Sequence, residues 1–407
     1  MTSTPPHSSP SHNSAFRTAE IPIEIIPEEE MALIEAALAA AAAAMPSAPV
    51  CRNAKSIRSI TLMSKRGLSA CTDNRSSDIE DCGRVVGSNS PNKSKKIRES
   101  EPLLYRFRRG RGLSVTDLTA TEWCEKQMEY TLFFGKPKAT KVMLAGSARH
   151  AVLEEEVIQR VKVNVESAED VWALKLMNFI VGANQLLFDG LTRELPLVGL
   201  VEGVWMVGML DEVRMSQTER IPVLVDTKTR GKPTLPREPQ KRNGRLQLMC
   251  YKYMWDSLVT NKFPSQKFFD FFSLNPNKIL SQKIRENAAG SGFASETLID
   301  VVRYFGNSCC LLPQAHDRLL LRYELQEDQS LLGEDEFPYE LDWLKDKIKS
   351  SHDFWLGKRE AEYAPIEERW KCGYCTFSSA CPANSIPPGS PSKTVIEYTQ
   401  QDRDQSH

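Results

Sequence analysis

The sequence predicts an α/β fold. Two observations carry this reading. Strand-like runs follow one another mid-chain, roughly Thr192 to Leu200, Glu202 to Met215 and Ile221 to Thr227. Longer amphipathic segments flank them, Ala168 to Phe188 before and about Asn243 to Leu258 after. The second strand carries Asp211 out of Gly208-Met209-Leu210, and the third runs from Val223 to Val225 into Asp226-Thr227-Lys228. Gln217 to Pro222 is polar enough to turn, so the two strands read as a hairpin. Side chains alternate along a strand, so Asp211 and Asp226 can lie side by side with Lys228 on the face of Asp226. Two carboxylates and an ammonium at one point mark a functional site. Hard oxygen donors suit Mg²⁺ or Mn²⁺, and a neighbouring lysine can orient water or offset charge on phosphate. This is the chemistry of metal-dependent phosphodiester hydrolysis.

The chain has 407 residues, 41% apolar and 26% charged, enough for a substantial core. A net charge of −1 excludes a globally basic nucleic-acid binder, so any such contact must come from local clusters. No run of apolar residues reads as a membrane span. Ten cysteines without a secretory signal point to a reducing compartment, where clustered thiols serve metals rather than disulfides.

Residues 1–100 read as a mostly disordered tail, 101–382 as the folded domain and 383–407 as a second tail. In the first tail Ile21 to Ile26, followed by Glu28 to Glu30, resembles a SUMO-interacting motif. SUMO or a single-strand-binding protein is thus a possible partner. A helix is expected from Met31 to Ala44. Lys93-Ser94-Lys95-Lys96 favours the nucleus, with chloroplast or mitochondrion as alternatives. The domain opens with aromatics among basic residues, including Arg108, Arg109 and Arg111, a pattern suited to phosphates and stacked bases. Ser114 to Phe134 is expected to be one helix. His150 and Glu154 share the face of the next. After Lys228 comes the densest basic stretch of the domain: Arg230, Lys232, Arg237, Lys241, Arg242 and Arg245, read as a phosphate-tracking loop. Gln247 and Tyr251 share a helical face. Phe268 to Leu274 and Arg318 to Gln326 are expected strands; Ser295 to Tyr304 and Tyr339 to Leu356 are expected helices.

Cys372-x₂-Cys375-x₅-Cys381 closes the domain. Three thiolates leave one ligand position open, and no further cysteine or histidine lies nearby in the C-terminal segment. Cys124 is the remote choice. Four thiolates gathered from both ends of a domain suit a [4Fe–4S] cluster, with zinc the competing occupant.

Taken together, these residues resemble the exonuclease V family, the iron–sulphur branch of the RecB-like PD-(D/E)xK nucleases. The resemblance rests on Val115 to Leu118, Trp123-Cys124-Glu125-x-Gln127, the Asp211 and Asp226-x-Lys228 strands, Gln247-x₃-Tyr251 and the Cys372 to Cys381 segment. It implies a mixed central sheet flanked by helices and closed by a cluster on Cys124, Cys372, Cys375 and Cys381. It also implies Mg²⁺ held by His150, Asp211, Asp226 and the Thr227 carbonyl, with Lys228, Gln247 and Tyr251 completing the catalytic set. The activity implied is exonucleolytic release of short oligonucleotides from single-stranded DNA, in repair or genome maintenance, by a monomer. The contrasting reading is an inactive or zinc-stabilised nucleic-acid-binding or interaction protein.

Overall fold

The computed structural model describes residues 66–71 and 101–384, apart from residue 261. The SUMO-like motif, the Met31 to Ala44 helix and Lys93 to Lys96 lie outside the described residues. The strand β1 (Arg66–Cys71) falls within the stretch expected to be unfolded and pairs in parallel with β3 (Ile158–Val163).

The domain begins with α1 (Leu103–Arg108), the short β2 (Leu113–Ser114), α2 (Val115–Trp123) and α3 (Glu125–Phe134). Ser114 and Asp117 form a reciprocal capping box at the start of α2, with both bonds 3.0 Å. The expected single helix from Ser114 to Phe134 is therefore two. Cys124 takes an extended conformation between them, and each half keeps its own hydrogen bonds. Next come α4 (Lys141–Val157), β3 and the 22-residue α5 (Ala168–Asp189). By length and composition α5 could cross a membrane, yet 72% of its apolar window is buried inside this core. Ser167 caps its start and Gly190, at φ 74°, ends it.

β4 (Leu191–Val201) and β5 (Val204–Met215) form a long antiparallel hairpin. Glu202 and Gly203 both have positive φ and make its two-residue turn, which is why the second strand starts later than expected. β6 (Pro222–Arg230) returns beside β5 after the anticipated polar turn. α6 (Glu238–Thr260) follows, then α7 (Ser265–Phe272), α8 (Gln282–Gly290) and α9 (Leu298–Cys310). β7 (Arg318–Leu325) pairs in parallel with β6 and antiparallel with β8 (Leu331–Pro338). α10 (Leu341–Trp355) and a 3₁₀ segment, Ile366–Tyr374, complete the domain.

The sheet is six-stranded and mixed, ordered β2-β5-β6-β7-β8 with β4 on the other edge of β5. Helices α5, α6 and α9 pack in one continuous core with Trp172, Phe179, Trp205, Trp255 and Phe305 at its centre. Phe268 to Leu274, expected to be a strand, instead lies largely in α7. Phe268, Phe269 and Phe272 share a buried helical face, and Trp172 meets Phe268 and Phe272 at 5.0 and 4.3 Å. The aromatic content suited either element, and this packing decided for the helix.

Candidate active site and cysteine centre

β5 has two different neighbours along one edge. β2 pairs with Met206 and Val207, and β6 pairs with Glu212 to Met215. Between them the edge is unpaired, because β6 leaves β5 after Val225 meets Glu212 and continues beside β7. Asp211 and Asp226 are the next pair in that register, so they stand at the fork. Their carboxylates interact directly, and Lys228 Nζ lies 2.9 Å from Asp226 Oδ2. Lys228 also donates to Gln247 Oε1 at 2.8 Å. Tyr251, one turn further along α6, lays its ring over Gly208, where a Cβ would come within 2.6 Å of Tyr251 Cε1.

His150 is supplied by α4, with Nδ1 3.7 Å from Asp211 Oδ2 and a hydrogen bond to the Thr227 backbone. This helix has little apolar anchorage. Glu154 and Val157 are its buried residues, and Val142, Met143 and Leu144 are exposed. Polar ties hold it instead. Arg149 pairs with Glu324 of β7 at 2.8 Å. Arg193 of β4 donates to the Leu153 carbonyl at 2.5 Å, to Glu156 at 2.6 Å and to Glu212 of β5 at 2.6 Å. Glu154 is paired with Arg160 of β3 and braces the helix, and it also lines the pocket over the fork.

The electrostatics follow from crowding. Burial raises the Asp211 carboxyl well above the ordinary range, and the Asp226 charge raises it further. Burial also pushes Asp226 upward, but the Lys228 ammonium and the contact with the Asp211 carboxyl outweigh it and hold Asp226 below the usual value. Burial lowers His150, keeping its imidazole neutral and able to ligate. Burial opposes the Lys228 charge, but Asp226 and Asp211 prevail and its ammonium is retained. Asp226 is 1% exposed, and neither of its oxygens completes a hydrogen bond of good geometry with the chain. A buried carboxylate left this way, beside a second carboxylate and a neutral imidazole, fits a hard divalent cation.

Sequence reading did not single out Arg193, Glu194 or Glu212. A pocket over the fork is lined by these three with His150, Leu153, Glu154, Asp211 and Thr227. Arg193 and Glu212 flank Glu194 and Asp211 in their strands, the one local signal that could have found them.

The four cysteines, Cys124 from the α2–α3 junction and Cys372, Cys375 and Cys381 from the C-terminal segment, line one cavity with Lys371 and Tyr130. Burial raises the Cys124 thiol, and its neighbours Cys372 and Cys381 contribute. Burial likewise raises Cys372, beside Cys381 and Cys375. The segment is strapped down on both sides. Arg359 holds Glu125 bidentately at 2.5 and 2.6 Å, and Lys371 Nζ reaches the Trp123 carbonyl at 3.2 Å. Trp123 meets Trp370 edge-on at 5.8 Å, and Phe377 packs on Tyr130 at 5.7 Å.

The basic residues are divided. Helix α6 starts at Glu238, so Lys241, Arg242 and Arg245 belong to it rather than to a loop. Arg242 is bound by Glu122 and Glu368, each at 2.7 Å, and Arg245 by Asp335 and Glu238. Arg108 grips Asp117 through two bonds, 2.6 and 2.8 Å. Arg230 bonds the Thr234 carbonyl, and Arg237 lies over the Trp370 ring at 5.7 Å. Arg109, Lys232 and Lys241 make no ion pair among the described residues. An open groove is lined by Tyr374 and Trp123, near the cysteines, and by Val207 and Asn243. Its basic lining joins Arg108 and Arg111 of the opening cluster to Lys136 and Lys138, two residues not foreseen.

A mixed sheet forking at paired carboxylates, with a lysine and a histidine at the fork, is a donor set that suits phosphodiester hydrolysis. Comparison with known proteins is more specific. The family described as "Exonuclease V - a 5' deoxyribonuclease" matches residues 102–221, 214–300 and 301–382. Exonuclease V of Danio rerio is 30% identical over 299 residues, 71% of this chain and 74% of that protein. "Exonuclease V, mitochondrial" of Candida dubliniensis is 33% identical over 61 residues, 15% of this chain and 10% of that protein. The crystal structure of SSO0001 aligns with 67% of this chain and 85% of its own at 15% identity and a TM-score of 0.28, too low to carry an argument. The chain belongs to the exonuclease V family, and is a nuclease.

Proposed function

We propose that the chain is a 5′ exonuclease that degrades single-stranded DNA to short oligonucleotides, with Mg²⁺ or Mn²⁺ as its activating ion, in DNA repair or genome maintenance. The observation that carries this reading is the β5–β6 fork, which sets Asp211, Asp226, Lys228 and His150 around one point. The 5′ polarity comes from the family description. The arrangement fits a PD-(D/E)xK core.

His150, Asp211, Asp226 and the Thr227 carbonyl would hold the cation. A bound Mg²⁺ polarises a phosphate oxygen and makes water a better nucleophile. Lys228, retained as an ammonium, orients the attacking water or offsets charge gathering on phosphorus. Gln247 fixes the direction of that ammonium through its 2.8 Å bond. Tyr251 seats β5 through its contact at Gly208. The groove lined by Val207 and Asn243 would take the single strand, with Lys136, Lys138 and Arg111 for phosphates and Phe107 and Trp123 for bases.

Cys124, Cys372, Cys375 and Cys381 would hold a [4Fe–4S] cluster. Four thiolates drawn from both ends of the domain around one cavity support the cluster, with zinc the competing occupant. The protein acts as a monomer in this reading. The nuclear assignment rests on Lys93 to Lys96, and the mitochondrial name of the Candida relative supports the second compartment. A fluorescent fusion of the full chain decides between them.

The deciding experiment follows end-labelled single-stranded DNA with Mg²⁺, using protein purified without air, with Asp226→Ala and duplex DNA as controls. Digestion of single strands from the 5′ end by wild type alone is expected. Absence of digestion by wild type, or digestion that survives Asp226→Ala, would overturn the reading.

A further inference from the structure

β4 brings a third carboxylate to the fork. Its ladder with β5 runs from Leu191 to Val201, and the one position the register skips is Glu194, opposite Asp211. Arg193 pairs with Glu212 and Leu195 with Leu210 on either side. Glu194 takes φ 49°, a left-handed conformation that Glu seldom adopts within a strand. One donor atom each of His150, Glu194 and Asp211 lies within 4.8 Å of the other two. Octahedral ligands about 2.1 Å from one ion stand roughly 3.0 to 4.2 Å apart, so this spacing fits a single cation.

Asp226 supplies an independent sign that a ligand belongs here. It is buried, touches Asp211, and keeps both oxygens without a completed hydrogen bond. The charges agree as well. With an ion bound and all three carboxylates ionised, one ammonium and a neutral imidazole would leave two negative charges, the complement of a divalent ion.

We infer that Glu194 is a further ligand of the divalent-cation site, reaching it from β4 to join His150 of α4 and Asp211 of β5. This rests on the cation reading of the fork and adds a residue to it. The ion in question is hard and oxygen-seeking, as Mg²⁺ and Mn²⁺ are. The departure from strand geometry at Glu194 is what turns its carboxylate toward the ion.

The test is Mn²⁺ titration of the full chain, with free Mn²⁺ read by electron paramagnetic resonance. Wild type, Glu194→Gln and Glu155→Gln are compared; Glu155 is exposed on α4 and outside the site. Glu194→Gln should weaken Mn²⁺ binding about 10- to 100-fold, with Glu155→Gln unchanged. The rise in melting temperature produced by Mg²⁺ should shrink in Glu194→Gln. If Glu194→Gln does not fold, Glu194→Asn removes the charge while tolerating left-handed backbone. Wild-type Mn²⁺ affinity in the folded Glu194 variant would remove Glu194 from the site and leave the cation reading standing. No Mn²⁺ binding by wild type would overturn both.

Discussion

Lys228 Nζ donates to Gln247 Oε1 at 2.8 Å while lying 2.9 Å from Asp226 Oδ2. The ammonium is therefore aimed from two elements, β6 beneath it and α6 beside it. Gln247→Ala should leave Lys228 charged but free to swing. We expect kcat on single-stranded DNA to fall about 10- to 100-fold, the scale of a misplaced catalytic group, with KM and Mn²⁺ affinity nearly unchanged. Steady-state kinetics beside a metal titration checks this, and an equal loss in metal affinity would assign Gln247 to the cation instead.

The raised Asp211 carboxyl predicts a pH-dependent instability of the cation-free protein. Burial and the Asp226 charge make the folded state bind this proton more tightly than the unfolded state does. Between the ordinary carboxyl value and the raised one, the folded chain therefore holds more protons, and stability falls as pH rises. Asp211→Asn lacks this titration. In chelator, urea denaturation should show the variant gaining on wild type as pH climbs through that window, with no pH-dependent gain at pH low enough to protonate both states. Saturating Mg²⁺ should reverse the order at neutral pH.

Gly208 leaves no space for a side chain. A Cβ there would stand 2.6 Å from Tyr251 Cε1 and 3.1 Å from Val115 Cγ2. Gly208→Ala should destabilise the fold by about 1 to 3 kcal/mol, the range for overpacking. Thermal melting measures it, and Gly290→Ala, where nothing lies within 4 Å, is the matched control.

The cysteine centre predicts colour and stability together. Protein purified without air should be brown, with four irons per chain if the cluster is [4Fe–4S]. Cys372→Ser should lose the colour and lower the melting temperature, as should chelation of the iron. Colourless protein with stoichiometric zinc would select the competing occupant.

The basic residues after Lys228 should separate into two groups. Lys232→Gln and Lys241→Gln should each flatten the salt dependence of single-strand binding, by about 0.7 in the log–log slope for each phosphate no longer neutralised, and leave the melting temperature unchanged. Arg242→Gln should instead lower the melting temperature, because it removes the clamp joining Glu122 to Glu368 and leaves each with a single lysine partner, Lys347 and Lys371. Binding measured from low to high salt, beside melting curves, distinguishes them.

How much could be read in advance depended on how local each cause was. The Asp211 and Asp226 strands were legible because Val223 to Val225 and Met209 to Leu210 are apolar runs joined by a polar turn, a short-range signal. Cys124 was reached because the C-terminal spacing lacked a fourth ligand. Glu194 was not legible, since a skipped position in a ladder depends on two strands and no motif marks it. The partners of Arg242 lie 120 and 126 residues away, so its charge suggested a phosphate-tracking loop when it is a clamp. Phe268 to Leu274 failed for a different reason. A short aromatic run has no period long enough to separate strand from helix, and Trp172 and Trp205 made the choice.

The extended link at Cys124, between α2 and α3, also sets a timetable. Trp123 and its partner Lys371 are separated by 248 residues. At about 5 to 20 residues per second of synthesis, the ribosome delivers the far cysteines roughly 10 to 50 s after Cys124. Through that interval the thiol and the apolar sides of α2 and α3 wait without their lid. Completion of the domain waits for its last-made segment, and a nascent nuclease is assembled last at the place where its first helices began.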